Sequence, residues 1–263
     1  MTSRNRFSIR KNIARGKQVV GMFGTIAGGM STARRIGAFK SPPREILPRY
    51  IQIFCRKMAN TFGVTVVQVE PVPQTHALWA SNHVSWMDIP VMGSVTPAFF
   101  LSKSEIANWP IFGKLATAAG TLFIQRGSGD SGTISEQMAA FLREGYSILF
   151  FPEATTTDGK QIKRIHGKLL QSAIDANKPV QPIVVCYVNK QGELDESIPY
   201  YGKMTMAESI KKVMDSRDTT AYVLPLAPLE TQGKTKSKLT DELQQHMQSG
   251  LEELHRRVLK SNS

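Results

Sequence analysis

His83 and Asp88 stand five residues apart in "WASNHVSWMDIP", residues 79–90. A neutral imidazole can take the proton of a hydroxyl nucleophile. A carboxylate on its other nitrogen orients the ring and stabilises the cation that forms. On a straight α-helix five residues amount to about 500°, so the two side chains would diverge by roughly 140°. Cooperation therefore requires a turn between them. Pro90 points the same way: it suits a helix that begins near Asp88, not one capped at Ser85, where position 90 would need its N–H. The plainer alternative is that Ser85 and Asp88 form a capping box.

Three more stretches carry polar groups at the ends of apolar runs. In "GTLFIQRGSG", 120–129, Arg126 ends a strand-like run and precedes Gly and Ser. A guanidinium so placed can grip a phosphate or carboxylate. In "FFPEATTTDG", 150–159, the run meets Pro152, Glu153 and three threonines. That composition predicts a polar pocket in which Glu153 accepts hydrogen bonds from substrate hydroxyls. In "VQPIVVCY", 180–187, Pro182 marks a pocket wall or an irregular strand edge. The "GDSG" at 129–132 looks superficially like a hydrolase serine, but it sits in a polar turn and the chain has no G-x-S-x-G elbow.

The elements that must position these residues are legible as alternating runs. "VTVVQVE", "HALWASN", "AFFLSKSEI", "GTLFIQR", "GYSILFFPE", "VQPIVVCYV" and "TAYVLPLAPL" read as strands. Residues 131–144, "GKLLQSAIDANK" and "AESIKKVMDS" read as helices, "PVMGSV" as a helix or turn, and the tail from 239 as a polar helix. Ile51, Phe54, Cys55 and Met58 follow the helical i, i+3, i+4, i+7 spacing after the prolines at 42, 43 and 48. The alternation predicts an α/β fold, a central mixed sheet flanked by helices.

Charge adds a division of the chain. Of 263 residues, the first 60 carry 13 Lys or Arg and one acid; the remainder carry 20 of each sign. The whole net charge of +12 thus sits in the first quarter. A basic arm on a neutral body predicts a docking device rather than a nucleic-acid binder. Its longest apolar run, "VVGMFGTIAGGM" at 19–30, falls short of the ~18 residues needed to span a bilayer. With Arg34 and Arg35 behind it, the run suits a segment lying on an anionic membrane surface. The alternative is a helix packed on the body with its arginines solvated. We read residues 1–60 as a basic helical membrane-docking segment and 61–263 as the α/β domain. Cys55 and Cys186 match no metal or redox spacing and suit a reducing compartment.

Taken together, the blocks resemble the glycerolipid acyltransferases, the 1-acylglycerol-3-phosphate acyltransferase superfamily. Asn82-His83 with Asp88, the run ending in Arg126, Phe151-Pro152-Glu153-Ala154-Thr155, and Val180-x-Pro182-Ile183 occur in that family's order and spacing. "FLSKSE", with Lys103, and "WPIFG" resemble the segment between the first two motifs. The resemblance implies transfer of an acyl chain from coenzyme A or acyl carrier protein to the free hydroxyl of a lysolipid, 1-acyl-sn-glycerol-3-phosphate foremost. His83 would be the general base and Asp88 its partner. Arg126 and Glu153 would hold the acceptor head, aided by Thr155, Lys103 and Asn82. It implies no metal, no cofactor beyond the acyl co-substrate, no nucleic acid, and a place on the cytoplasmic face of the cell membrane. Ala154 stands where the family usually has Gly, which widens the acceptor to other lysophospholipids or to lyso-ornithine lipid. A lipid or thioester hydrolase is the competing enzyme class, and would need a Ser or Cys nucleophile. A non-catalytic binding protein is the other.

Overall fold

The apolar runs that precede the candidate residues become neighbouring strands. The computed structural model describes residues 3–125, 131–216 and 218–260. In chain order these form α1 (Ser3–Arg35), α2 (Leu47–Thr61), β1 (Val64–Gln68), β2 (Leu78–Ser81), α3 (Asp88–Val95), β3 (Ala98–Lys103), α4 (Ser104–Ala107), α5 (Phe112–Ala118) and β4 (Leu122–Ile124). There follow α6 (Ser131–Arg143), β5 (Ser147–Phe150), a 3-10 turn (Gly167–Leu170), α7 (Gln171–Ala176), β6 (Val180–Val188), α8 (Met206–Asp215), β7 (Thr219–Pro225) and α9 (Lys236–Val258). The order across the sheet is β1-β7-β6-β2-β5-β3-β4. β6, β2, β5, β3 and β4 run parallel, β7 is antiparallel to β6, and β1 is parallel to β7. This is the expected α/β fold with a mixed sheet flanked by helices. Parallel pairing brings the C-terminal ends of β2, β5 and β3 to one edge, the edge where α/β sheets hold their ligands.

The central strands explain the unbroken apolar runs. Every residue of β2, β5 and β6 is buried, as expected of strands covered on both faces. Pro182 lies within central β6, where a missing donor ought to cost a ladder bond. The Leu226 N–H donates to the Pro182 carbonyl at 3.0 Å, and in an antiparallel ladder the return bond would come from residue 182. Instead the Gln181 side-chain amide donates to the Leu226 carbonyl at 2.6 Å. The strand keeps its proline because the preceding side chain supplies the donor.

Two helical layers cover the sheet. On one face α9 packs over β6 and β7 and against the 3-10 turn, beside α6 and α7. The tail expected as a polar helix is amphipathic: Leu239, Leu243, Met247, Leu251 and Leu254 form a fully buried stripe. Its polar composition hid a stripe at steps of four and three residues. On the other face α2 packs on α3 and α1. Leu47, Ile51, Cys55 and Met58 are buried there, and Gly93 allows the close approach, since a Cβ would lie 2.5 Å from the Cys55 Sγ. α1 also meets α8 through Arg15 and Asp215 and sets Gly29 against Phe54 and Leu115. Among the described residues no helix is long and apolar enough to cross a membrane.

After β5 the chain doubles back through a turn closed by the Ala154 N–H on the Phe151 carbonyl, 3.1 Å. Ala154 has φ +57°, a left-handed conformation that costs an L-residue about 1–2 kcal/mol. Glycine escapes that cost but loses about 0.5–1 kcal/mol of chain entropy on folding. Ala154→Gly should therefore stabilise the fold by about 0.5–1 kcal/mol, read as a raised urea midpoint at unchanged m-value. A lowered midpoint would mean that the alanine methyl makes contacts worth more than the strain.

Candidate active site

Asn82 prepares the site by extending the ladder. Its Nδ2 donates to the Val185 carbonyl at 3.0 Å and its Oδ1 accepts the Val185 N–H at 2.8 Å. The amide thus forms an extra rung between β2 and β6. Asn82 is 1% exposed. Expected beside the acceptor, it is instead a clamp at the strand end, with both polar atoms already engaged.

The chain then turns through residues 83–87, and α3 begins at Asp88. This is the turn that the spacing requires. Only half of the capping box forms: the Asp88 carboxylate takes the Ser85 N–H, while the Ser85 hydroxyl is buried without a partner among the described residues. Asp88 instead reaches back. Its Oδ2 accepts the N–H groups of Val84 at 2.7 Å and Ser85 at 2.9 Å, and lies 2.7 Å from the His83 Nδ1. Its Oδ1 accepts the Tyr187 hydroxyl at 2.6 Å. Two of these donors are backbone amides that cannot reverse. The carboxylate is thus an acceptor, Nδ1 donates to it, and the lone pair of His83 is left on Nε2. Burial, reinforced by Asp88, pushes the Tyr187 phenol well above its ordinary pKa, so it stays a donor. Asp88 is fully buried, whereas the His83 side chain keeps one-fifth exposure. The Phe151 ring stacks on the imidazole at 4.1 Å with 14° between planes.

Glu153 differs from its expected role. Its Oε1 accepts the His83 N–H and its Oε2 the Lys163 N–H, each at 2.8 Å, and it is 2% exposed. Both oxygens are thus engaged by backbone donors. The Thr157 N–H donates to the His83 carbonyl at 2.8 Å, and its hydroxyl to the same oxygen at 3.2 Å. One loop therefore holds both backbone polar groups of the histidine. Burial raises the Glu153 pKa against the lowering effect of the two N–H groups. A raised carboxyl favours folding most below its unfolded pKa and loses that contribution as pH rises through the folded one. The ionised form thus carries a standing cost near neutral pH, which its two hydrogen bonds offset in part.

Of the other predicted residues, Lys103 ends β3, and Thr155 lies on the loop after Glu153; both are exposed. Arg126 lies outside the described residues, as do two positions of "GDSG", Gly129 and Asp130. Sequence reasoning passed over Tyr187, and it named Phe151 only within a motif and Thr157 only among the pocket hydroxyls, with no role toward His83. The first had a signal: a hydroxyl in an otherwise apolar buried strand must find a partner. Burial pushes the thiols of Cys55 and Cys186 up to about 12, so neither offers a thiolate for the competing hydrolase chemistry. Among the described residues the His83 Nε2 has no partner, and an imidazole with an unshared Nε2 and a buried carboxylate behind it has the geometry a general base needs.

Because Glu153 touches the histidine backbone, Glu153→Gln should lower kcat and leave the acceptor KM nearly unchanged. Gln can accept only one of the two N–H groups, an orphaning worth about 1–3 kcal/mol. A raised KM with normal kcat would place Glu153 on the acceptor after all.

Comparison with known proteins agrees with this geometry. Residues 63–186 match the family described as Acyltransferase. A lyso-ornithine lipid O-acyltransferase of Pseudomonas aeruginosa is 35% identical over 227 residues, 86% of each chain. A 1-acyl-sn-glycerol-3-phosphate acyltransferase of Neisseria gonorrhoeae is 34% identical over 166 residues, 63% of this chain and 65% of that one. The crystal structure of the 1-acyl-sn-glycerophosphate acyltransferase PlsC from Thermotoga maritima shares the fold, with a TM-score of 0.68 at 20% identity over 96% of this chain and 99% of that one. With a histidine against a buried carboxylate at the sheet edge, and a relative 35% identical over 86% of both chains, this chain belongs to the acyltransferase family that includes those lysolipid enzymes.

Proposed function

We propose that the chain moves a fatty acyl group from an acyl thioester to the free hydroxyl of lyso-ornithine lipid. The observation that carries the chemistry is the His83–Asp88 pair with Nε2 free. The lysolipid hydroxyl gives its proton to Nε2 as its oxygen bonds the thioester carbonyl carbon. The C–S bond then breaks, and the thiol leaves with that proton. Asp88 stabilises the transient imidazolium, as in other histidine–carboxylate pairs. No covalent acyl-enzyme is required.

The acceptor rests on the relatives. The lyso-ornithine lipid enzyme of Pseudomonas aeruginosa is alike over 86% of its length, the Neisseria glycerophosphate enzyme over 65%. Lysophosphatidic acid is the second reading, favoured by the Neisseria relative and by Arg126 as a phosphate grip. Lys103 and Thr155 complete the proposed acceptor contacts, while Asn82 and Glu153 position the base. The thioester would come from acyl-CoA or acyl carrier protein.

Residues 1–60 would dock the domain formed by 61–263 on the cytoplasmic face of an anionic membrane. In support, Val20 is 72% and Phe23 57% exposed on α1, with Arg34 and Arg35 in its last turn. Exposed apolar groups flanked by cations suit a headgroup boundary.

His83→Ala should lower kcat roughly 10²–10⁴-fold, and Asp88→Asn comparably, in transfer to lyso-ornithine lipid in anionic vesicles. Near-normal turnover in His83→Ala would sink the mechanism. Higher kcat/KM with lysophosphatidic acid would reassign the acceptor while leaving the chemistry intact. Val20→Asp with Phe23→Asp should weaken sedimentation with anionic vesicles and spare turnover of short-chain soluble acceptors. Unchanged vesicle binding would remove the docking role of α1.

A further inference from the structure

Between Glu153 and α7 the chain runs along the catalytic edge as a fastened strip. The His166 N–H donates to the Pro152 carbonyl at 2.9 Å. Gln248 and Gln244 of α9 accept the N–H groups of Ile162 at 2.9 Å and Ile165 at 2.8 Å. Ile162 and Ile165 are buried. Lys160, Lys163, Arg164 and Lys168 are turned outward and exposed. From Gly159 to Ile174 there is no acidic residue. None of the four cations makes a side-chain hydrogen bond or ion pair among the described residues, whereas Arg44 and Lys234 are each matched to a glutamate. The body from residue 61 onward balances 20 bases with 20 acids, so this concentration is local.

Its position is specific. Lys163 supplies the N–H that holds the Glu153 Oε2, so the strip borders the residue that fixes His83. It is pinned to α9, in the helical layer across the sheet from α1 and α2. If the acceptor comes from a bilayer against α1, this strip faces the aqueous side. A small carrier such as coenzyme A bears its phosphates at one end of its arm. Four unpaired cations spread over nine residues suit a broader anionic surface instead.

We propose that this strip is the docking surface for an acidic acyl carrier protein. The carrier would present its thioester, on a flexible arm, to the hydroxyl activated by His83. This deepens the function proposed above and rests on it. The strip attracts and orients the donor protein and takes no part in the chemistry.

The test combines Lys160→Gln, Arg164→Gln and Lys168→Gln in the full-length chain. These side chains are exposed and outside the catalytic hydrogen bonds; far-ultraviolet circular dichroism checks the fold. Transfer to a short-chain soluble acceptor is measured with acyl carrier protein and with acyl-CoA carrying the same chain. Loss of rim charges acts on encounter and its salt dependence, so kcat/KM for the carrier protein should fall about tenfold or more at low salt, with kcat little changed. The wild-type preference should weaken as salt shortens the screening length. The acyl-CoA value should stay within about twofold of wild type.

Equal losses with both donors would overturn the proposal, as would no loss with either. Selective loss with acyl-CoA would make the strip a nucleotide-phosphate site. Loss of anionic-vesicle binding with unchanged carrier kinetics would make it a membrane contact. Wild-type transfer from acyl-CoA but never from the carrier would overturn the docking surface and leave the acyltransferase reading standing. Absence of transfer from both would sink that reading instead. Calorimetric titration of holo-acyl carrier protein into the wild type and the triple variant then still decides the strip, because it needs no turnover.

Discussion

A buried carboxylate with four donors holds this site together. Asp88 draws in two backbone amides, an imidazole and a phenol, from the turn after β2 and from the adjacent strand β6. A charge with no exposure is costly unless hydrogen bonds replace its water. Here they also dictate shape. Satisfying Val84 and Ser85 forces the backbone to curl over the carboxylate, and that curl sets the imidazole against it. The same bonds fix the tautomer, because an acceptor surrounded by donors leaves Nδ1 no choice but to donate.

Around that carboxylate, positioning is layered. Asn82 locks the strand end to Val185, Glu153 and Thr157 hold the two sides of the His83 peptide, and Phe151 lies flat against its ring. In the role proposed for His83, a base gains from being fixed before the substrate arrives, since reorganisation at the moment of reaction adds to the barrier. Ala154 shows what the arrangement tolerates. The turn that carries Glu153 back beneath His83 demands a left-handed residue, and the chain accepts alanine there at some cost in stability.

The two faces of the sheet divide the polar surroundings of the site. The layer with α1 and α2 carries exposed apolar groups and the basic first quarter. The layer with α9 anchors the strip from Lys160 to Lys168. On the function proposed above, a lipid acceptor and a soluble donor would reach His83 from opposite faces of the sheet.

Much of this was readable in the chain. The apolar runs named the strands, because strands buried on both faces cannot hide their composition. The five-residue spacing with Pro90 foretold the turn between His83 and Asp88, because helical geometry forbids their meeting otherwise. Sequence alone therefore determined the α/β class, the meeting of His83 with Asp88 and the location of the charge. It did not determine what Asn82 and Glu153 do, nor reveal Tyr187 as the fourth donor on Asp88. A side chain's type says which bonds it can make, while the partners that tie Asn82, Glu153 and Tyr187 into the site lie 70 to 103 residues away along the chain. Only the sheet order, with β2 between β5 and β6, decides that Glu153 meets the His83 backbone and Asn82 meets Val185. The polar atoms of both are spent there because buried groups bond to whatever the fold places nearest.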